Sequence, residues 1–162
     1  MSDFYTEQLV KRQTPAASRI LQGVLILLTA CSVCLAFFMP AAVLLILVMG
    51  TADFFVFRRL NVEYEYLYVN GTLEVDKIMS RSKRKHVFEM ALSDLEILAP
   101  AGSPELRQYQ GIRPADFSSG LADAGRYEMI ILKDGMKTRI IFEPNASILE
   151  GMKMMAPRKV LI

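Results

Sequence analysis

The chain has 162 residues, enough for one ordinary domain and an appendage. Its apolar fraction is 52% beside 22% charge, an excess concentrated in the first third, and a net charge of only +2 gives no reason to expect a nucleic-acid partner. The two cysteines, Cys31 and Cys34, do not support a disulfide framework; inside an apolar run they read as small core-like residues, not a redox or metal motif.

Residues 1–19 read as a cytoplasmic N-terminal segment, with Lys11, Arg12 and Arg19 ahead of the apolar run. From Arg19 to Asp53 no charged residue occurs, and Pro40 divides the stretch into 20–38 and 41–57. As a helix the first piece would extend roughly 28 Å at ~1.5 Å per residue. That matches a hydrocarbon core of about 30 Å, so residues 20–57 are expected to be a transmembrane helical hairpin broken at Met39-Pro40. A secretory signal fits poorly, because the first run is too long and a second follows at once. The flanking cations Arg19, Arg58 and Arg59 place both termini in the cytoplasm and the turn across the membrane, with two spans in the inner membrane. Asp53 is the one charge inside the spans. It is expected at the level of Gly23 and Ile20, either as an interfacial carboxylate or as an ion site. Gly23, Ala30, Ser32 and Gly50 suggest a close approach of the two helices.

After Arg58-Arg59 the period changes to two. Val62, Tyr64, Tyr66 and Tyr68 share one strand face, and Glu63 and Glu65 the other. Asn70-Gly71 is a hairpin turn returning through Thr72 to Met79. A basic loop follows, Arg81, Lys83, Arg84 and Lys85, then strands from His86 to Leu92 and from Leu95 to Leu98. The segment Ala99–Gly125, rich in Pro and Gly, reads as a long connection with a short helix after Ser103 and a brief strand near Asp116–Ser118. Tyr127–Lys133 and Met136–Phe142 form a second hairpin across Asp134-Gly135. Asn145 caps a final helix, 145–156, whose apolar stripe is Ile148, Leu149, Met152 and Met155. Pro157 ends it, leaving a tail at 158–162. A bent sheet of about seven strands with one end plugged by the helix is the expected outcome for residues 58–157.

The order of two spans, "VEYEYLYVNGTLEVDKI", a basic turn, a "DG" hairpin and "NASILEGMKMM" resembles small bacterial membrane proteins that carry a pleckstrin-homology-like (PH-like) domain. The likeness runs from Ile20 to Met155. It implies a mostly-β split barrel capped by a C-terminal helix; it does not imply an enzyme, and it brings no known substrate. Eukaryotic phosphoinositide-binding relatives place cations around the first strand-to-strand loop. Here that loop is taken as Asn70-Gly71, which holds none, so no inositol-phosphate site carries over.

Chemistry is sparse. His86 stands alone, no Gly-rich phosphate cradle occurs, and no catalytic residue, metal site or cofactor is indicated. Glu63, Glu65, Glu74 and Asp76 read as a solvated face balanced by Lys77 and Arg139. Arg81, Lys83, Arg84 and Lys85 are either a solubilising turn or a contact for anionic lipid. The reading is a membrane-anchored, non-catalytic binding or scaffold module that places its domain at the inner leaflet. The alternatives are a protein-interaction or self-assembly module with a protein partner or as a homo-oligomer, and, more weakly, a subunit of a transporter or enzyme.

Overall fold

The computed structural model describes residues 4–80 and 83–162. It opens with a strand that the sequence reading left out. Tyr5–Lys11 (β1) pairs antiparallel along its whole length with Val62–Val69 (β2), from Tyr5 opposite Val69 to Lys11 opposite Glu63. Between them lie two helices, Ala16–Ala36 (α1) and Val43–Leu60 (α2), the second led by a 3-10 turn at Pro40–Ala42. The expected N-terminal segment is therefore the first strand of the β domain, and the apolar hairpin is an insertion between its first two strands.

β2 continues through Thr72–Met79 (β3) to Lys83–Ala91 (β4), giving a four-stranded antiparallel sheet in the order β1-β2-β3-β4. Asn70 and Gly71 both take positive φ, 46° and 90°, as a tight hairpin turn demands. The second sheet contains Leu95–Pro100 (β5), Ala115–Asp116 (β6), Tyr127–Lys133 (β7) and Met136–Phe142 (β8), in the order β5-β7-β8-β6. β6 runs parallel to β8, and the other pairs are antiparallel. Asp134 and Gly135 make the second turn, again with positive φ. The two sheets do not close into one ladder.

The inner faces carry the core. Tyr64, Tyr66 and Tyr68 of β2 stand with Leu73 and Val75 of β3 against Met129, Ile131, Ile140 and Phe142 of the other sheet. Helix Ala146–Met155 (α3) fills the gap with Ile148 and Met152, both fully buried. Asn145 caps it by accepting from the Ile148 amide at 2.9 Å. Met155, expected on the same stripe, is more than half exposed.

The seam beside β1 is closed by polar side chains in place of a ladder. Gln8 donates to the Glu143 carbonyl at 2.8 Å and accepts from the Asn145 amide at 2.6 Å. Tyr66, at the centre, donates to the Phe117 carbonyl at 2.6 Å, and its burial pushes its phenol pKa well upward.

The long connection is neither loose nor open. Its helical piece is a 3-10 segment, Pro104–Tyr109, whose Leu106 and Tyr109 form a second small core with Ala99 and Ile130 on the outside of the β5–β8 sheet. The tail is ordered too. Val160 bridges Leu98 in parallel, with Leu98 N–H to Lys159 O and Leu161 N–H to Leu98 O both at 2.8 Å. That covers the edge of β5.

Gly151 of α3 sits where a methyl group would overlap the Phe4 ring and lie 2.9 Å from Tyr68. Gly151→Ala is expected to lower stability by about 1–3 kcal/mol. In a Phe4→Ala background the same change should cost clearly less. A double-mutant cycle by denaturant unfolding in detergent measures that difference.

Candidate functional site

Basic side chains gather at the end of the barrel where the hairpin leaves it. Arg12 follows β1; Arg58 and Arg59 lie in the last turn of α2; Lys77 is on the inner face of β3 opposite Tyr64. The chain is tightly tied there. Arg12 N–H donates to Val62 O at 3.0 Å, and Gln13 N–H to Ser119 O at 2.7 Å. At the end of β3, Ser80 N–H donates to Asn61 O at 2.8 Å and Ser80 Oγ to Arg58 O at 2.9 Å. The start of β4 is therefore held beside the exit of α2.

Arg12 is partly committed. It donates to Tyr64 Oη at 2.8 Å and to Asp116 O at 3.2 Å, and its guanidinium stacks over the Tyr64 ring at 5.8 Å. A cavity of about 200 Å³ lies here, lined by Arg12, Ser18, Arg59, Tyr64 and Lys77 among others. A neighbouring one of about 350 Å³ is lined by Arg12, Thr14, Pro15, Arg19 and Gly120 among others.

The four cations expected in one loop divide. Arg81 lies outside the described residues. Lys83, Arg84 and Lys85 are the first residues of β4, a strand where a loop was expected, and alternation sends them to opposite faces. Lys83 and Lys85 stand opposite Met79 and Lys77 on the inner face, at the end beside the exit of α2. Arg84 points outward, contacts Glu65, and reaches Asp76 at 3.7 Å. Among the described residues, Lys83 and Lys85 have no carboxylate partner.

The acidic face is also arranged differently from expectation. Glu63 and Glu65 are only 7% and 8% exposed, because β2 lies inside the sheet and longer neighbours cover it. Lys77 is on the other side of the sheet, and Arg139 pairs with Glu128 on β7 at 2.8 Å. On this face stand Arg84 and His86, whose Nδ1 is 3.0 Å from Asp76. Burial, then the nearby Glu7 carboxyl, hold the Glu65 pKa above its ordinary value, with Arg84 opposing.

α1 and α2 are long and apolar enough to cross a membrane. Asp53 reaches further along α1 than Gly23 and Ile20. Its partner is Thr29, whose Oγ1 donates to Oδ2 at 2.7 Å, while Oδ1 is buried without a hydrogen bond among the described residues. Gly23 and Gly50 face open space and do not bring the helices together. Ser32 is buried and bonds its own helix at Leu28 O, and Cys31 and Cys34 are free and exposed. No group of three or more His, Cys, Asp or Glu suited to a metal exists among the described residues.

Two facing β-sheets with a C-terminal helix as plug, and an apolar helical hairpin set between the first two strands, define a small PH-like protein. The chain belongs to the bacterial PH-like domain family (DUF6106), whose model matches residues 2–162. Neither a curated protein nor a solved structure matches it. The match takes in β1, in agreement with its place in the sheet. The first strand-to-strand connection is thus the hairpin itself and not Asn70-Gly71, and that connection is flanked by Arg12, Arg19, Arg58 and Arg59. The missed signal was this flanking set, read only as membrane-edge charges.

Because the Glu65 pKa is raised in the fold, the folded protein holds its proton more tightly than the unfolded chain does. Glu65 therefore opposes folding above its folded pKa, and that opposition is relieved as pH falls toward the ordinary glutamate value. Glu65→Gln should flatten the rise in stability on mild acidification, as read from denaturation midpoints at stepped pH.

Proposed function

We propose that this protein is a non-catalytic module of the inner membrane that holds its PH-like domain against the cytoplasmic leaflet for contact with anionic lipid. The observation that carries the reading is the pairing of β1 with β2 around the apolar hairpin. It returns the chain to its starting point, so both ends of the hairpin lie on one side of any bilayer the helices enter. The cations at that point favour the cytoplasmic side. Two apolar helices, 16–36 and 40–60, then anchor one barrel built from residues 4–11 and 62–162. The basic end, with Lys83, Lys85, Arg59 and Lys77, sits at the headgroups, where each lysine or arginine contributes about 1 kcal/mol. Arg81 is proposed as part of this set from its place in the sequence. Arg84 is left out of it, since Glu65 and Asp76 already hold it.

A second reading draws on the outer face of the β1–β4 sheet. There Tyr5 and Leu9 are exposed beside Glu7 and Glu65, a surface suited to a basic protein partner or a further copy. In the membrane, crosslinking at that face would give a discrete adduct on this reading and only monomer on the first.

The ends of β1 and β2 are adjacent, so residues 15–60 can be replaced by a short Gly-Ser linker. The resulting soluble barrel should bind phosphatidylglycerol vesicles in a salt-sensitive manner. Lys83→Glu with Lys85→Glu should weaken that binding at least about tenfold, and Arg84→Gln should change it little. Vesicle sedimentation at stepped salt reads both. Equal binding to neutral vesicles would refute the lipid contact.

A further inference from the structure

From Val33 to Gly50 the hairpin carries no charged, amide or hydroxyl side chain, and that stretch contains the whole turn. The apex is Phe37, Phe38 and Met39, with Phe37 86% and Phe38 85% exposed. Its backbone is hydrogen-bonded within itself. Phe37 N–H reaches Cys34 O at 3.2 Å, Phe38 N–H reaches Leu35 O at 3.0 Å, and Met39 N–H shares the same carbonyl at 2.9 Å. Pro40 has no N–H, and Ala42 N–H donates to Met39 O at 2.9 Å. A turn built this way can leave water, because it brings few open backbone groups into hydrocarbon.

Length points the same way. From Arg19 to Phe37, and again from Pro40 to Arg58, the rise is about 27 Å at ~1.5 Å per residue. With both arginines at the near headgroups, the apex falls a few Å short of the far edge of a core about 30 Å thick, and further short if the helices tilt by about 20°. An apex in water would leave two phenylalanines and a methionine hydrated, with no polar group to hold them there.

We infer that the Phe37-Phe38-Met39-Pro40 apex stays among the acyl chains of the far leaflet, so that the protein presents no residue to the opposite aqueous compartment. Its partner at this surface is lipid hydrocarbon. This departs from the expectation of a translocated turn, and it rests on the reading that the hairpin lies in a bilayer. The protein would then sense or position material on one side only.

The test uses the full-length chain in spheroplasts, with Cys31 and Cys34 replaced by alanine and a single thiol introduced as Met39→Cys. A membrane-impermeant maleimide is added from outside. A thiolate forms poorly in hydrocarbon, so labelling should be at least about tenfold slower than for a variant with a polar, cysteine-bearing loop inserted after Met39. Detergent should bring Met39→Cys to the rate of that control. Equal rates before detergent, in protein that resists alkaline carbonate extraction, would overturn the inference and leave the membrane reading intact. Extraction by carbonate would overturn both.

Discussion

Strand β1 must find β2 across residues 12–61, and this pairing governs the rest of the architecture. The last rungs are Lys11 opposite Glu63 and Arg12 N–H on Val62 O, so the hairpin starts and finishes within one step of the ladder. An insertion that leaves and returns at one point costs little closure entropy if its own ends already lie close together. Two antiparallel helices of similar length meet that condition, where a single span could not. The same geometry couples the parts. α2 enters β2 through Asn61 alone, and the end of β3 is bonded to its last turn through Ser80. Any tilt of the helix pair is therefore applied directly to the β1–β2–β3 end of the barrel.

The distribution of charge follows from the same point. Cations collect where the helices join the β domain, and on β3 and β4 they continue along the inner face as Lys77, Lys85 and Lys83, beyond the reach of the core. Carboxylates occupy the outer face of the same strands, where Arg84 reaches Asp76 and His86 Nδ1 lies beside it. One four-stranded sheet thus has lysines inside at its open end and acids outside. The aromatic layer separates them: Tyr64 takes the Arg12 guanidinium on its ring, and Phe117 lies edge-on to Tyr64.

Most strands were readable because their apolar side faces in. β2 and β3 alternate cleanly, and both hairpins announce themselves with Asn-Gly and Asp-Gly. β1 inverts the pattern. Its larger residues Tyr5 and Leu9 face out, while the inward positions include Thr6 and Gln8, and Gln8 is satisfied only by Glu143 and Asn145, distant in sequence. No periodicity reveals a strand whose inner face is polar for the sake of one seam. The start of β4 hid for another reason. Lys-Arg-Lys has weak strand preference, but on an edge strand such charges are tolerated and deter further pairing. Which of those cations is available was equally illegible, because Glu65 and Asp76 come from two other strands. The Thr29 partner of Asp53 was not legible, because a level inferred from helix length does not say which way a carboxylate reaches.

The tether changes what the basic end has to achieve. A soluble domain must overcome the loss of translational freedom before it stays at a membrane. A domain joined to two inserted helices by one residue on one side and a few on the other has already met that cost. On the proposed arrangement its cations need only favour one orientation over others. Two lysines at about 1 kcal/mol each bias an orientation roughly thirtyfold, which is ample for that task and far too weak for recruitment. Two neighbouring cavities that share Arg12, one lined also by Arg59 and Lys77 and the other by Arg19, fit such a role better than an enclosed cradle for one headgroup would. Selectivity would then come from the charge density of the leaflet, and salt, not a competing soluble phosphate, would be what loosens the domain.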